Sequence, residues 1–349
     1  MTKSRHDRIV IVHYTDPHCA CRNPSTRIGD YRGDVINKLE QVFDIAVDRE
    51  AYATHCGGDF FHVKSPTMNK HETVSMIVTL LDQYKHKGIT HLCNPGNHDL
   101  VNDDMDSIPN QPIGVLFAGN HMVQVKGQII QVGDLRVRMD AYPFTETPDW
   151  GAIGTMREAS DDNADYEILS AHVYSSPNGG DLFGTKIYSY QEMSVTGHDA
   201  YLLGHYHPDN GVVSMDYGLG KDQSFVNIGS LTRGDYGDNN LKRKPKCCVI
   251  TIEKKDGKVT ADFEQIELKV KPAEEVFDLN TKAALEKQKV EAAAFVEELQ
   301  VATNSVVEED SAEAIVGKVT NDAAVQKVVK SYLDKAAEFL KGIKDGKNK

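Results

Sequence analysis

The chain has 349 residues, 40% hydrophobic and 26% charged, with 27 Gly and 12 Pro, which is enough apolar material for a sizeable core. This composition excludes disorder as the main state, and collagen-like and disulfide-scaffold classes with it. A formal charge of −13 argues against attachment to nucleic acid through a general basic surface, while leaving room for a local basic track.

The elements read in chain order as follows. Residues 9–12 form a β-branched apolar run, the pattern of a strand buried on both faces and too short for a signal segment. A helical stripe follows at Ile36, Leu39, Phe43, Ala46 and Val47. A short strand is expected at 52–56, a second stripe at Val74, Ile77, Val78, Leu81 and Tyr84, and a strand at 89–93. This βαβαβ opening implies an α/β sheet. Strands dominate from there: 121–126, 128–132, 135–140, 166–171, 200–203, 224–228, 247–253 and 259–268, with a hairpin signal at Lys255-Asp256-Gly257-Lys258.

Usage changes near residue 271. All 14 His lie at or before His207, and residues 272–349 contain no His, Arg, Cys or Trp but 11 Lys against 15 Asp plus Glu. The division expected is a catalytic unit at 1–271 and a helical C-terminal extension at 272–349, with stripes at Leu285–Leu299 and from Val325 to Ile343. The extension reads as a helical hairpin on its own core, or as a surface for a partner or for oligomerisation. No apolar run approaches the roughly 20 residues of a membrane span. A cytoplasmic protein with reduced thiols at its six Cys is therefore expected.

Five segments carry the chemistry: Asp16-Pro17-His18, Gly57-Gly58-Asp59, Gly96-Asn97-His98-Asp99, His172 and Gly204-His205-Tyr206-His207. Each follows an expected strand, and in an α/β sheet the loops leaving the carboxyl ends of strands share one rim. Carboxylates, imidazoles and one carboxamide gathered there suit two divalent cations, held roughly 3.5–4 Å apart, that clamp a phosphate and activate water. Cations so close need a bridging carboxylate, and Asp59 is the natural candidate. The mixed N/O donor set suits Mn, Fe or Zn better than Ca or Mg. Strand alternation would point Asp16 with His18, and His205 with His207, to one side.

In this order the motifs resemble the calcineurin-like metallophosphoesterase superfamily over roughly residues 8–268. The resemblance implies a four-layer α/β fold, two mixed β-sheets flanked by helices. It also implies two divalent metal ions, one on Asp16, His18, Asp59 and His207, the other on Asp59, Asn97, His172 and His205. His98 matches the position that donates a proton to the leaving oxygen or contacts the phosphate, and Asp99 would orient it. Gly58-Asp59-Phe60-Phe61-His62, Lys64-Ser65-Pro66 and the segment Asn227 to Arg233 are most similar to the SbcD-type DNA repair exonucleases. That narrower likeness implies His62 as an auxiliary residue placing the scissile phosphate, manganese as the usual metal (with Fe, Zn or Mg as alternatives), and DNA ends as substrate. It also implies an SbcC-type, SMC-like ATPase partner and a homodimer. The alternative function is hydrolysis of a small phosphodiester or phosphomonoester such as a cyclic nucleotide.

Lesser features are read against packing roles. Cys19 and Cys21 beside His18 are expected to be small loop residues, and Trp150 and Tyr206 to pack. Lys242-Arg243-Lys244-Pro245-Lys246 is the one dense basic run, open to either a DNA contact or a solvated loop. Residues 174–186 read as a polar, Gly-rich loop beside His172, either gating or passive.

Overall fold

The structure is a computed structural model. It describes residues 7–24, 27–64, 69–145, 147–158, 163–182, 184–234, 238–281, 283, 326–327 and 329–330. Along the chain the elements are β1 (Asp7–Tyr14), α1 (Tyr31–Asp48), β2 (Ala53–Cys56), α2 (His71–Lys85), β3 (Thr90–Cys93), α3 (Pro112–Ala118), β4 (Val123–Gln124), β5 (Gln128–Val132), β6 (Leu135–Tyr142), α4 (Trp150–Glu158) and β7 (Tyr166–Val173). There follow β8 (Ser175–Ser176), β9 (Gly180–Leu182), β10 (Thr185–Ser189), α5 (Tyr190–Ser194), β11 (Ala200–His205), β12 (Gly211–Met215), β13 (Gln223–Asn227), α6 (Asp238–Lys242), β14 (Lys246–Lys255), β15 (Lys258–Glu267) and α7 (Ala273–Val276).

Two six-stranded sheets are ordered β15-β14-β1-β2-β3-β4 and β12-β13-β11-β7-β6-β5. In the first, β1, β2, β3 and β4 run parallel and β14 is antiparallel to β1. In the second, β6, β7, β11 and β13 run parallel, with β5 and β12 antiparallel at the edges.

The two-residue period of the strands assigns the layers. Val10, Val12 and Tyr14 pack with Leu39, Phe43, Leu81 and Ile113 of the helices α1, α2 and α3. Their alternates Ile9 and Ile11 join Ala53 and Leu92 against Val137, Met139, Ile168 and Leu202 of the second sheet. The far face of that sheet, with Leu169, Ala171, Tyr201 and Phe225, is covered by Trp150 of α4 and by Tyr190 and Met193 of α5. Each buried aliphatic or aromatic side chain in these layers contributes about 1.5–3 kcal/mol. The result is the expected four-layer arrangement, helices, sheet, sheet, helices. The carboxyl ends of β1, β2, β3, β7 and β11 supply the five chemistry-bearing segments.

The strand expected at 121–126 shortens to Val123–Gln124, while the hairpins at Gly133-Asp134 and Asp256-Gly257 form as read. The loop expected at 174–186 contains a small sheet, β8-β10-β9. One compact unit reaches Phe277 and a second spans Asp278–Lys349. Phe277, 1% exposed, belongs to the first, with the Arg27 guanidinium 5.2 Å above its ring. Among the described residues of the second unit, 279–281, 283, 326–327 and 329–330 are helical. The stripe Leu285–Leu299 and most of the one beginning at Val325 lie outside the described residues, as do Ser65 and Pro66. No helix of the described residues is long and apolar enough to cross a membrane.

Candidate metal centre

β1 stops at Tyr14, and the backbone then turns left-handed at Asp16 (φ 51°) and again at His18 (φ 48°). Asp59 (φ 51°) and His205 (φ 78°) adopt the same region. It is unfavourable for non-glycine residues by about 1–2 kcal/mol each, so neighbouring structure must impose it. Backbone bonds do so: Asp16 N to Gly58 O at 3.1 Å, His18 N to Asp59 O at 3.1 Å and Cys19 N to Phe60 O at 2.8 Å zip the first two loops together. The expectation that Asp16 and His18 align by continued strand alternation is thereby corrected. They converge because two left-handed residues, separated by Pro17, return the chain to the same side.

The seven expected ligands come together. Asp16, His18 and His207 offer donor atoms within 4.8 Å of one another, and Asp59, His172 and His205 do the same. His18 Nε2 faces His207 Nε2 at 3.1 Å, and Asn97 Oδ1 lies 3.3 Å from His172 Nε2. Asp59 links the two clusters: its Oδ2 is 3.8 Å from His18 Nε2 and its Oδ1 is 3.4 Å from His172 Nε2. Both carboxylates are pinned, Asp16 by the Thr15 hydroxyl at 2.6 Å and Asp59 by the His98 amide at 2.7 Å. His172 Nδ1 donates to the Gly57 carbonyl at 2.8 Å, which fixes its tautomer and leaves Nε2 facing Asp59. The segment after β13 buttresses the rim, Ser230 N donating to His207 O at 3.2 Å and Leu231 N to Thr15 O at 2.7 Å.

His98 and His62 lie beside the first cluster, their rings 4.9 and 5.5 Å from that of His18. The role expected for Asp99 needs correction. His98 Nδ1 donates to the His62 carbonyl at 2.7 Å, whereas the Asp99 carboxylate accepts the amides of Gly96 (3.0 Å), Phe60 (3.2 Å) and Phe61 (3.4 Å). Asp99 therefore ties the Asn97-His98 loop to the Asp59 loop, and the His62 backbone orients His98. Burial and the charge of Asp59 raise the Asp99 pKa to about 6.

The electrostatics suit cations. Asp16 and Asp59 are held well below the usual carboxylate range; burial opposes this, but the surrounding imidazoles prevail. Burial would lower His172 too, yet Asp59 and Asp16 outweigh it and push its pKa up to about 9. Burial pulls His18 and His205 down to about 3, leaving them neutral donors. The His205 Nε2 atom is buried without a hydrogen-bond partner among the described residues. Two carboxylates, four imidazoles and an amide oxygen, with the His205 Nε2 atom unsatisfied, fit a pair of divalent cations.

A proton on His172 must leave as a cation enters. Apparent metal affinity is therefore expected to rise between pH 6 and about 9, by about tenfold per pH unit for each proton displaced. Calorimetric titrations in buffers of different ionisation enthalpy count that proton; a pH-independent affinity over this range would contradict the assignment.

Two glycines make the close packing of the loops feasible. A Cβ at Gly96 would stand on Asp59 Oδ1 and on the Asp59 backbone nitrogen, and one at Gly58 (φ 117°) would stand on His172 Nδ1. Gly96→Ala is expected to destabilise the fold by about 1–3 kcal/mol and to lower metal content below two ions per chain. Thermal denaturation with elemental analysis would check both.

Several contributors carry no sequence signal. The Tyr31 hydroxyl donates to the His18 carbonyl at 3.1 Å, and Phe144 and Tyr174 pack on His205. Trp150 is buried in a core cluster, as expected, whereas Cys19, expected as a small loop residue, is buried in the core beside the helices. A cavity of about 790 Å³, lined by Met105, Arg138, Asp140, Ile153 and Met156 among others, contains none of the ligands.

A rim of this composition, on paired sheets between helices, is that of a metal-dependent hydrolase of phosphate esters. The chain matches the calcineurin-like phosphoesterase family over residues 9–209, more than half its length, and belongs to that family. No curated protein matches it. Among solved structures it is similar to a dimetal phosphatase from Danio rerio, at 11% identity and a TM-score of 0.46, covering 75% of this chain and 99% of that one. It is also similar to Vacuolar Protein Sorting 29 from Cryptosporidium parvum, at 14% identity and a TM-score of 0.30, covering 75% and 100%.

Proposed function

We propose that the chain is a manganese-dependent phosphodiesterase of the SbcD type, a nuclease acting on DNA ends with an SbcC-type ATPase. The observation that carries the phosphodiesterase reading is Asp59, which groups with His172 and His205 while its second oxygen faces His18 of the other cluster, with His98 beside His18. When bound, two divalent cations supply Lewis acidity toward the phosphoryl group and a water that is nucleophilic at neutral pH. Asp16, His18 and His207 would hold one, and His172, His205 and Asn97 the other, with Asp59 shared. His98 Nδ1 is committed to the His62 carbonyl, so Nε2 is the nitrogen that hands a proton to the leaving oxygen.

A diester is favoured over a monoester by charge. The centre offers carboxylates, imidazoles and an amide, with no Lys or Arg among its described members. Arg243, the guanidinium whose field reaches His207, is engaged by Ser230 and Thr232. A doubly charged phosphomonoester calls for such a cation more than a singly charged diester does. The DNA assignment rests on the Gly58–His62 and Asn227–Arg233 segments.

The second reading, a small nucleotide diester, is favoured by the state of the basic run. Lys244 pairs with Glu267 at 2.9 Å, Lys246 with Asp209 at 2.6 Å, and Arg243 is 8% exposed. Side-by-side turnover of linear duplex DNA and a chromogenic diester with Mn separates the readings: DNA cleavage supports the first, chromogenic turnover alone the second. The ATPase is proposed to dock on residues 272–349; copurification of an SMC-like ATPase that is lost on truncation supports this, and no pairing with the full chain rejects it.

A further inference from the structure

The two sides of the centre differ in chemistry. His62 and His98 flank the first cluster with polar imidazoles, their rings stacked at an interplanar angle of 20°. On the other side stand two aromatic side chains from separate loops. Phe144 follows β6, its ring centroid 4.8 Å from that of His205 and 6.2 Å from that of His172. Tyr174 follows β7, with its ring 3.9 Å from His205.

Both rings are held from behind. Phe144 N donates to Pro95 O at 3.4 Å, within the turn that presents Asn97, and the Tyr174 carbonyl accepts from Tyr188 N of β10 at 2.8 Å. Both are only partly buried, unlike the core aromatics Tyr14, Tyr31 and Phe43. The Tyr174 ring touches the His205 ring edge-on while remaining only partly buried, so it borders the centre with part of its surface accessible. Core packing alone gives no reason for two half-exposed aromatic rings to be fixed against one metal-ligand imidazole.

We propose that Phe144 and Tyr174 form a stacking wall that receives the base of the nucleotide retained on the substrate, opposite the leaving group served by His98. The proposal rests on the phosphodiesterase reading and narrows its substrate class to diesters with a nucleobase on the retained side. An aromatic wall reads any base by its π face, so it selects for nucleosides without selecting among sequences.

The test compares two esters with the same leaving group, thymidine 5′-(p-nitrophenyl phosphate) and methyl p-nitrophenyl phosphate, on the Mn-loaded full chain. The wild type should prefer the thymidine ester in kcat/KM. Phe144→Leu and Tyr174→Leu, which keep apolar bulk against His205 but remove the π face, should each cut that preference by about tenfold. Phe144→Tyr and Tyr174→Phe should retain it. Taking the ratio cancels any common effect of the variants on metal support. Preferences unchanged in both Leu variants would overturn the proposal, as would equal turnover of the two esters by the wild type. If neither ester is turned over, the phosphodiesterase reading fails. The wall is then judged by calorimetric binding of thymidine 5′-methylphosphonate against methyl methylphosphonate, where equal affinities in wild type and Leu variants would reject it.

Discussion

Asp59→Asn is expected to lower kcat/KM on the order of 10⁴-fold, about 5.4 kcal/mol of transition-state stabilisation, and to reduce bound metal from two ions per chain to one or none. The carboxylate is 1% exposed, and its two oxygens face different clusters, Oδ1 toward His172 and Oδ2 toward His18. An amide keeps the shape but offers one oxygen, carries no charge, and cannot offset two adjacent cations. The substitution also removes the foremost influence holding a proton on His172 against burial, so that imidazole should titrate lower in the metal-free variant. Elemental analysis and turnover of a chromogenic diester check the two halves together. Full metal content with normal turnover would show that residue 59 is not shared.

His98→Ala should act differently. Both ions stay bound, because His98 groups with His18 and His62 and belongs to neither of the two clusters that contain Asp16 and Asp59. Loss of a general acid typically lowers rate by about 10²–10⁴-fold, and the loss depends on the leaving group. An alkoxide needs the proton and should suffer the whole effect. A p-nitrophenolate departs without help and should lose less than about tenfold in kcat. Equal losses for the two leaving groups would assign His98 to phosphate binding, and a loss of metal would assign it to the ligand set. The amide of residue 98 bonds Asp59 through the main chain at 2.7 Å, so the Ala variant preserves that support.

Much of this was legible in the sequence where local pattern and tertiary role agree. The run at 9–12 is buried on both faces and reads as such. The motifs at 16–18, 57–59, 96–99, 172 and 204–207 follow strands whose ends share a rim, so order along the chain translated into proximity. The four layers followed from the family likeness more than from periodicity, since β12 and the short helices α3, α4 and α5 carry only weak signals.

The failures have physical causes. Asp99 neighbours His98 in sequence, but the turn closed by Asp99 N on Gly96 O at 3.0 Å aims its carboxylate at the backbone amides instead. Residues 174–186 look like a loop because Gly, Pro and Ser recur there, and the small sheet combines a short local hairpin, Gly180–Leu182 with residues 185–187, with pairing of Ser175 and Ser176 to Tyr188 and Ser189. Phe144 and Tyr174 are single aromatics in irregular segments, where no period marks them. Not every buried histidine serves the centre: His13 and His55 pair at 2.9 Å between the sheets, where burial keeps them uncharged.

The most direct test of the whole account is anomalous diffraction from crystals of the Mn-loaded protein. Two peaks are expected at the rim, one bonded to Asp16, His18 and His207, the other to Asn97, His172 and His205, with the carboxylate of Asp59 reaching both. A single peak, or two peaks with Asp59 bonded to only one, would contradict it.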